Sequence, residues 1–350
     1  MMSGTSMDGI DVSLVETNGI EFNRLSKNFY LKYKEKTKKL LNEIRSDSQI
    51  SYELKSELDK AITNEHIQAL KQSNFVKDTD IISFHGQTLS HIPKKKSVQI
   101  CNPKLIAKTF KKKVVSNFRK NDIINKGEGA PLAPIFHKKI IEQLSMKLPA
   151  CIINIGGISN ITYWDGKNLM GFDTGPGNCL LDSMINYYTG KEFDKNGEIS
   201  ENGKINKKII KFILEDSYFN IRPPKSLDKL YFSKFLDLIK LEADTLSDKL
   251  ATLSHLTVLS IMQSFTFMPN KINSFCVTGG GYKNKFLMKL LTRELKAKYY
   301  DLNQLDISPD FIEAEMIAFL AMRKINNLPS TFPSTTGVKN PTICGEIFKI

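Results

Sequence analysis

The chain has 350 residues, 41% of them hydrophobic and 25% charged, a balance that fits two globular domains and excludes a disordered or fibrous protein. Its five cysteines form no C-x-x-C pair, which argues against a zinc site or a disulfide frame and for reduced thiols in a cytosol. The net charge of +13 comes from lysines spread along the whole chain, and no aromatic residues interleave with the runs at 94–96 and 111–113, so a nucleic-acid surface is the weakest reading and attraction to anions such as ATP a better one.

In chain order, Ser3-Gly4-Thr5-Ser6-Met7-Asp8-Gly9 comes first, with no apolar core of an export signal before it. Ile10, Val12 and Leu14 alternate with polar residues as a half-buried strand does; Asn18-Gly19 turns it back, and Glu21 to Tyr30 is the partner strand. Apolar residues at helical spacing predict a helix over Ser51 to Gln72. A buried strand over Ile81 to Phe84 ends in His85-Gly86-Gln87. Strands at Val98 to Ile100 and Val114-Val115 flank a helix from Pro103 to Phe110, then a loop from Arg119 to Pro134 and a helix to Met146 follow.

The pattern then restarts. Ala150 to Ile155 is a strand, Gly156-Gly157 a tight turn, and Ile161 to Trp164 and Leu169 to Phe172 flank the hairpin signal Asp165-Gly166. Asn178 is placed to cap a helix that Gly190 closes. Mostly helical segments follow, the longest near Asp244 to Phe267. A strand at Ser274 to Val277 precedes Gly279-Gly280-Gly281, and helices run from Asn284 to Leu295 and from Ile312 to Ile325. No stretch reads as the roughly 20 apolar residues of a membrane span. Both halves therefore run strand, glycine turn, strand, hairpin, strand, helix. The expected architecture is α/β, with an N-terminal lobe over 1–118, to which 326–350 is a candidate addition, and a C-terminal lobe over 119–325 across a cleft.

Glycine lacks a Cβ, so backbone N–H groups in such turns can wrap a phosphate, and three of these turns suggest a nucleotide cradle. No Gly-Lys-Ser/Thr follows any of them, so the lysine clamp of a Walker motif is absent. Asp8 is the better Mg²⁺ ligand, since phosphoryl transfer needs hard oxygen donors. Asp11, inside the next strand, either joins it or satisfies loop amides. Asp173 precedes the stiff turn Thr174-Gly175-Pro176-Gly177 and reads as a general base or as a turn aspartate bonding its own backbone; the nearby glycine turns favour the base. His85 and Gln87 close a strand where ligand-facing residues lie in α/β folds, or His85 is a satisfied turn histidine. Glu313 and Glu315 open the last long helix, where one faces the cleft or both answer the helix dipole.

At these residues the chain resembles the anhydro-N-acetylmuramic acid kinases, of the actin-like and sugar-kinase ATPase superfamily. The carrying segments are Met2 to Asp11, His85-Gly86-Gln87-Thr88, Gly129-Ala130-Pro131-Leu132, Asn154-Ile155-Gly156-Gly157, Asp173 to Asn178 and Gly279-Gly280-Gly281, in the family's order. The resemblance implies a two-lobed duplicated fold, ribonuclease H-like in each lobe. It implies a cytoplasmic, homodimeric enzyme of peptidoglycan recycling that uses ATP and Mg²⁺. The reaction opens the 1,6-anhydro ring of the amino sugar and phosphorylates O6. Asp173 matches the base. Gly4, Thr5, Ser6, Met7, Asp8, Gly9, Ile10 and Asp11 match the phosphate loop, with Gly156, Gly157, Gly279, Gly280 and Gly281 along the nucleotide. His85, Gln87, Arg119 and Glu313 lie around the sugar by the same matching.

The chain departs from the family in several places. Apolar residues that precede Met-Ser-Gly-Thr-Ser in the family are missing before Met1-Met2, so a clipped first strand is expected. Phe118-Arg119-Lys120-Asn121-Asp122 carries one arginine where the family has three, Cys101 replaces a glycine, and Leu227-Asp228 breaks a Pro-Lys-Ser-Thr-Gly-Arg pattern. Lys126 and Glu128 stand for Gly and Gln. These leave sugar selectivity open, and the alternatives are a kinase for another small sugar or an ATP-binding protein without turnover.

Overall fold

A computed structural model describes residues 1–4, 7–43, 51–100, 102–228 and 230–349. Thr5, Ser6 and Cys101, named above, lie outside the described residues. In chain order the elements begin with β1 (Gly9–Thr17), β2 (Phe22–Lys32), α1 (Glu35–Glu43), α2 (Tyr52–Ser73), β3 (Ile81–Ser83), β4 (Gln87–Ile92) and β5 (Lys96–Ile100). They continue with α3 (Pro103–Phe110), β6 (Lys113–Ser116), α4 (Lys120–Ile124), α5 (Pro134–Gln143), β7 (Ala150–Ile155), β8 (Ile158–Trp164), β9 (Leu169–Pro176) and α6 (Cys179–Thr189). The rest are α7 (Lys207–Leu214), α8 (Ser217–Asn220), α9 (Leu236–Glu242), α10 (Leu246–Ser264), β10 (Ser274–Thr278), α11 (Lys285–Leu295), β11 (Lys298–Tyr299), α12 (Ile312–Ile325), α13 (Pro333–Thr336) and β12 (Glu346–Phe348).

The chain is α/β and divides into two compact units, 1–139 with 310–350 and 140–309. Residues 119–139 and 310–325, assigned to the second lobe on sequence, lie in the first unit. Contacts remote in sequence place them there. Glu315 of α12 takes a two-pronged ion pair from Arg24 of β2, and β12 pairs antiparallel with β6.

In the second unit the strand order is β11-β10-β7-β8-β9. β7, β8 and β9 form an antiparallel meander, while β10 and β11 run parallel to β7. This is the sheet of the ribonuclease H-like class. Cys151, Ile153 and Ile155 point into one core with Phe172, Phe275 and Leu287, so β7 reads as a continuous apolar run because both its faces are covered. α10 carries a capping box at Thr245 and Asp248 and packs on β9, α6 and α11. By length and composition alone the stretch Leu246–Phe267 passes the test for a membrane span, but 61% of its apolar window is buried, as in the core helix of a folded domain.

The first unit repeats the order in another form. β1 and β2 pair antiparallel, and β3 runs parallel to β6. Between them lie Met1 to Ser3: Met2 bridges Asp11 of β1, Ser3 bridges Gln87, and the Met1 amino group donates to Ser83 O at 2.8 Å. These residues stand where β7 stands in the second unit. Phe22, Phe136 and Phe319 pack edge-on or tilted at 5.0–6.4 Å between centroids, each pair adding about 0.5–1.5 kcal/mol beyond burial.

Candidate active site

In the first unit the loop after Ser3 is fastened from below by Gln87. Its side-chain amide donates to Gly4 O at 2.9 Å and its carbonyl accepts from Tyr33 OH at 3.4 Å. Met7 closes the loop with φ +56°, its N–H donating to Gly4 O, and the carbonyl of exposed Asp8 accepts from Tyr33 N–H. Gly9 has a different reason to be glycine. A Cβ there would lie 2.5 Å from Leu31 O and from the Tyr30 ring, so its small size lets β2 close on β1. Ile10 is fully buried, and its side chain belongs to the core.

Asp11 is pushed up to about 7, first by burial and then by the charges of Glu313, Asp8 and Asp310. A carboxyl that holds a proton near neutrality is a poor cation ligand. Glu313 is raised by burial and held back by the Arg119 guanidinium. Arg119 organises the rest of this half. Its Nε–H donates to His85 Nε2 at 3.2 Å and its Nη1 to Gly129 O at 2.8 Å. His85 Nδ1 lies 2.8 Å from Gly86 O, so the tautomer that fits has the proton on Nδ1. Burial and then Arg119 bring both His85 and His91 down to about 3. His85, Arg119, Glu313 and Asp11 are thus brought together electrostatically, while Gln87 serves the loop.

The loop from Arg119 to Pro134 contains the short helix α4, and it is pinned by a residue that had no assigned role. Asp122 is fully buried and accepts from Gly129 N–H at 2.7 Å and Thr336 Oγ1 at 2.6 Å. Asp122 lay inside the quoted Phe118–Asp122 run, but its partners are remote and no spacing announces them.

In the second unit the turn at Gly156-Gly157 is bonded to the start of α6. Gly156 O accepts from Asn178 N–H at 2.8 Å, and Gly157 O accepts from Gly177 and Cys179 N–H at 3.0 and 3.1 Å. Gly177 is required there, because a Cβ would meet Gly156 O at 2.3 Å. The Asn178 side chain makes no cap bond, contrary to expectation; its amide reaches towards Ile155 O at 3.4 Å. Gly279 has φ +75° and no room for a Cβ beside Asn154 and Ile155, and Gly281 packs on Ile155. Gly156 and Gly280 are different. Their nearest neighbours to a built Cβ stand 3.5 and 3.9 Å away; Gly280 is exposed and leaves room for a ligand, whereas the Gly156 N–H and C=O are bonded to Ile158 O and Asn178 N–H.

β9 runs on to Pro176, so Asp173 lies inside the strand rather than after it. Pairing with β8 carries it there through a bulge at Ser159/Asn160. Asp173 is 6% exposed, and its Oδ2 accepts from Leu227 N–H at 2.8 Å. That bond spans 54 residues, so it is not the local turn bond of an ordinary turn aspartate. The segment that supplies it includes Lys225, a buried lysine that sequence reading noted only as part of a motif.

Glycine turns at strand ends in both units, with a carboxylate fixed on β9, fit a carbohydrate kinase, the class that the family comparisons name. The profile of the anhydro-N-acetylmuramic acid kinases matches residues 1–350. An anhydro-N-acetylmuramic acid kinase of Pelagibacter ubique is 38% identical, with 100% of this chain and 97% of that one aligned. One of Methylorubrum populi is 36% identical over 99% and 97%. The chain belongs to the anhydro-N-acetylmuramic acid kinase family. Among solved structures, component A of the (R)-2-hydroxyglutaryl-CoA dehydratase of Acidaminococcus fermentans aligns over 91% of this chain and 98% of its own, at 12% identity and TM-score 0.44. The activator of the 2-hydroxyisocaproyl-CoA dehydratase from Clostridium difficile aligns over 89% and 90%, at 13% identity and TM-score 0.41.

Proposed function

We propose that the chain uses ATP to open the 1,6-anhydro ring of anhydro-N-acetylmuramic acid and to phosphorylate O6, giving N-acetylmuramic acid 6-phosphate. The observation that carries this reading is Asp173, a carboxylate fixed from a remote amide and four residues before Gly177, which is bonded to the Gly156-Gly157 turn. Water attacks the anomeric carbon and gives its proton to Asp173. The C1–O6 bond breaks with its electron pair on O6. That oxygen takes the γ-phosphoryl group, the bond to the β-phosphate oxygen breaks, and ADP leaves. The proton passes from Asp173 to solvent.

The room at exposed Gly280 fits the nucleotide, and the residues assigned to its phosphates include Gly4, Met7 and Asp8. Mg²⁺ commonly takes only one or two protein carboxylates beside phosphate oxygens, so Asp8 suffices as its ligand. When bound, the ion would neutralise phosphate charge. Arg119, with His85 neutral beside it and Glu313 near, supplies a cationic and hydrogen-bonding surface for the sugar. A homodimer in the cytoplasm completes the reading, supported by the family resemblance.

Asp173→Asn removes the proton acceptor and is expected to lower turnover by about 10²-fold or more. The measurement is ADP release coupled to anhydro sugar consumption. In ¹⁸O-water the product is expected to carry one heavy atom at the anomeric carbon and phosphate at position 6. Near-normal conversion by the variant, or unlabelled product, would overturn the assignment.

A further inference from the structure

The stretch from Tyr218 to Leu227 grips Asp173 by backbone and side chain together. The Asp173 N–H donates to Lys225 O at 3.1 Å, the Tyr218 hydroxyl donates to Asp173 O at 2.6 Å, and Leu227 N–H holds the carboxylate. Lys225 is 4% exposed. Its ammonium donates to Tyr218 O at 2.9 Å and lies over the Tyr218 ring at 4.4 Å and the Phe267 ring at 5.0 Å. Burial pulls this lysine down to about 8, and the charge of Asp173 opposes the fall. A buried ammonium is costly to hold unless an anion offsets it, and the attraction acts equally on the anion.

We propose that Lys225 is a positioning residue for Asp173: anchored on Tyr218 and Phe267, its ammonium keeps the neighbouring carboxyl ionised while the Leu227 amide fixes its direction. The proposal rests on Asp173 being the base. On β8 the cross-strand partner of Asp173 is Asn160, and α10 presents Thr257 and Ser260 to this end of β9. Beyond Tyr218, Asp216 is taken by Lys234 at 2.6 Å and by the Tyr231 hydroxyl at 2.9 Å. Arg222 is exposed, and Asp228 accepts from the Leu230 amide.

Three variants separate charge from packing. Lys225→Gln keeps a donor for Tyr218 O without the charge, Lys225→Met keeps only the bulk, and Lys225→Arg keeps the charge. Two readouts are taken: the Asp173 titration by ¹³C NMR on carboxyl-labelled aspartate, assigned by its loss in Asp173→Asn, and the acid limb of kcat against pH. In the Gln and Met variants both midpoints are expected to move up by about one pH unit or more. The alkaline plateau of kcat should be largely kept and KM for ATP should stay within about twofold. The Arg variant should keep the original midpoints. Unshifted midpoints, or an equal loss of rate at every pH, would overturn the role of Lys225. If Asp173→Asn is inactive while midpoints stay put, Lys225 alone is refuted; if that variant is fully active, the base assignment falls and takes this proposal with it.

Discussion

At the scale of single residues, the glycines separate into two kinds that the sequence shows as one. Gly279 and Gly177 are glycine because the fold leaves no space, whereas Gly280 has space and faces outward. Gly279→Ala forces an L-residue to φ +75° against Asn154 and Ile155 and is expected to cost about 1–3 kcal/mol, read as a lowered urea midpoint. Gly280→Ala should change stability by less than about 1 kcal/mol. It should nonetheless weaken ATP binding about tenfold, roughly 1.4 kcal/mol, by putting a methyl group where the nucleotide approaches. Calorimetry on both variants checks this, and unchanged ATP affinity in Gly280→Ala would remove that turn from the nucleotide site. The glycine-rich runs were legible as turns. Which of their members shape the chain and which leave room for a ligand was not, because that depends on Asn154, Ile155 and the start of α6 lying across from them.

At the scale of elements, strands and helices followed from local pattern where the pattern is local. The apolar run Ala150 to Ile155, the αL closure of α6 at Gly190 and the periodicity of α12 are each contained in a few neighbouring residues. The extension of β9 through Asp173 was not readable, since Asp-Thr-Gly-Pro is turn chemistry and only pairing with β8 holds it extended. The place of α12 in the first unit was equally hidden. It depends on Arg24 and Glu315, 291 residues apart, with bonds of 2.7 and 2.6 Å and Glu315 2% exposed. Arg24→Met strands a buried carboxylate and is expected to destabilise the first unit by about 3 kcal/mol, while the double replacement Arg24→Met with Glu315→Leu should recover most of that. Denaturant melts of the single and double variants decide the matter. Because Glu313 rides on the same first turn, the single variant should also raise KM for the sugar.

At the scale of the whole molecule, the buried titratable groups are unevenly shared between the two units. His66, His85, His91 and His137 all lie in the first unit, and burial brings each down to about 3. A histidine kept neutral by the fold adds stability that is complete above its unfolded value near 6.5 and is lost as pH falls towards the folded one. Acid groups in the same unit act in the opposite sense. Asp11 at about 7, with Glu313 and Glu315 raised, favour the folded state as pH falls. Four histidines set against three carboxyls leave more protons on the unfolded side once the imidazoles of the unfolded chain are nearly all charged, below about pH 5.5, and the first unit then loses stability as the pH falls further. The second unit has the reverse balance in that window. Asp182 is raised by burial to about 7 and gains from acid, and Lys225 near 8 is already charged below it. Mild acid should therefore open the first unit while the second stays closed. Hydrogen exchange at pH 5 against pH 7.5 is expected to show lost protection in peptides from 1–139 and 310–350, with peptides from 140–309 little changed. Equal loss in both units would mean that acid unfolding is driven by something other than these four imidazoles.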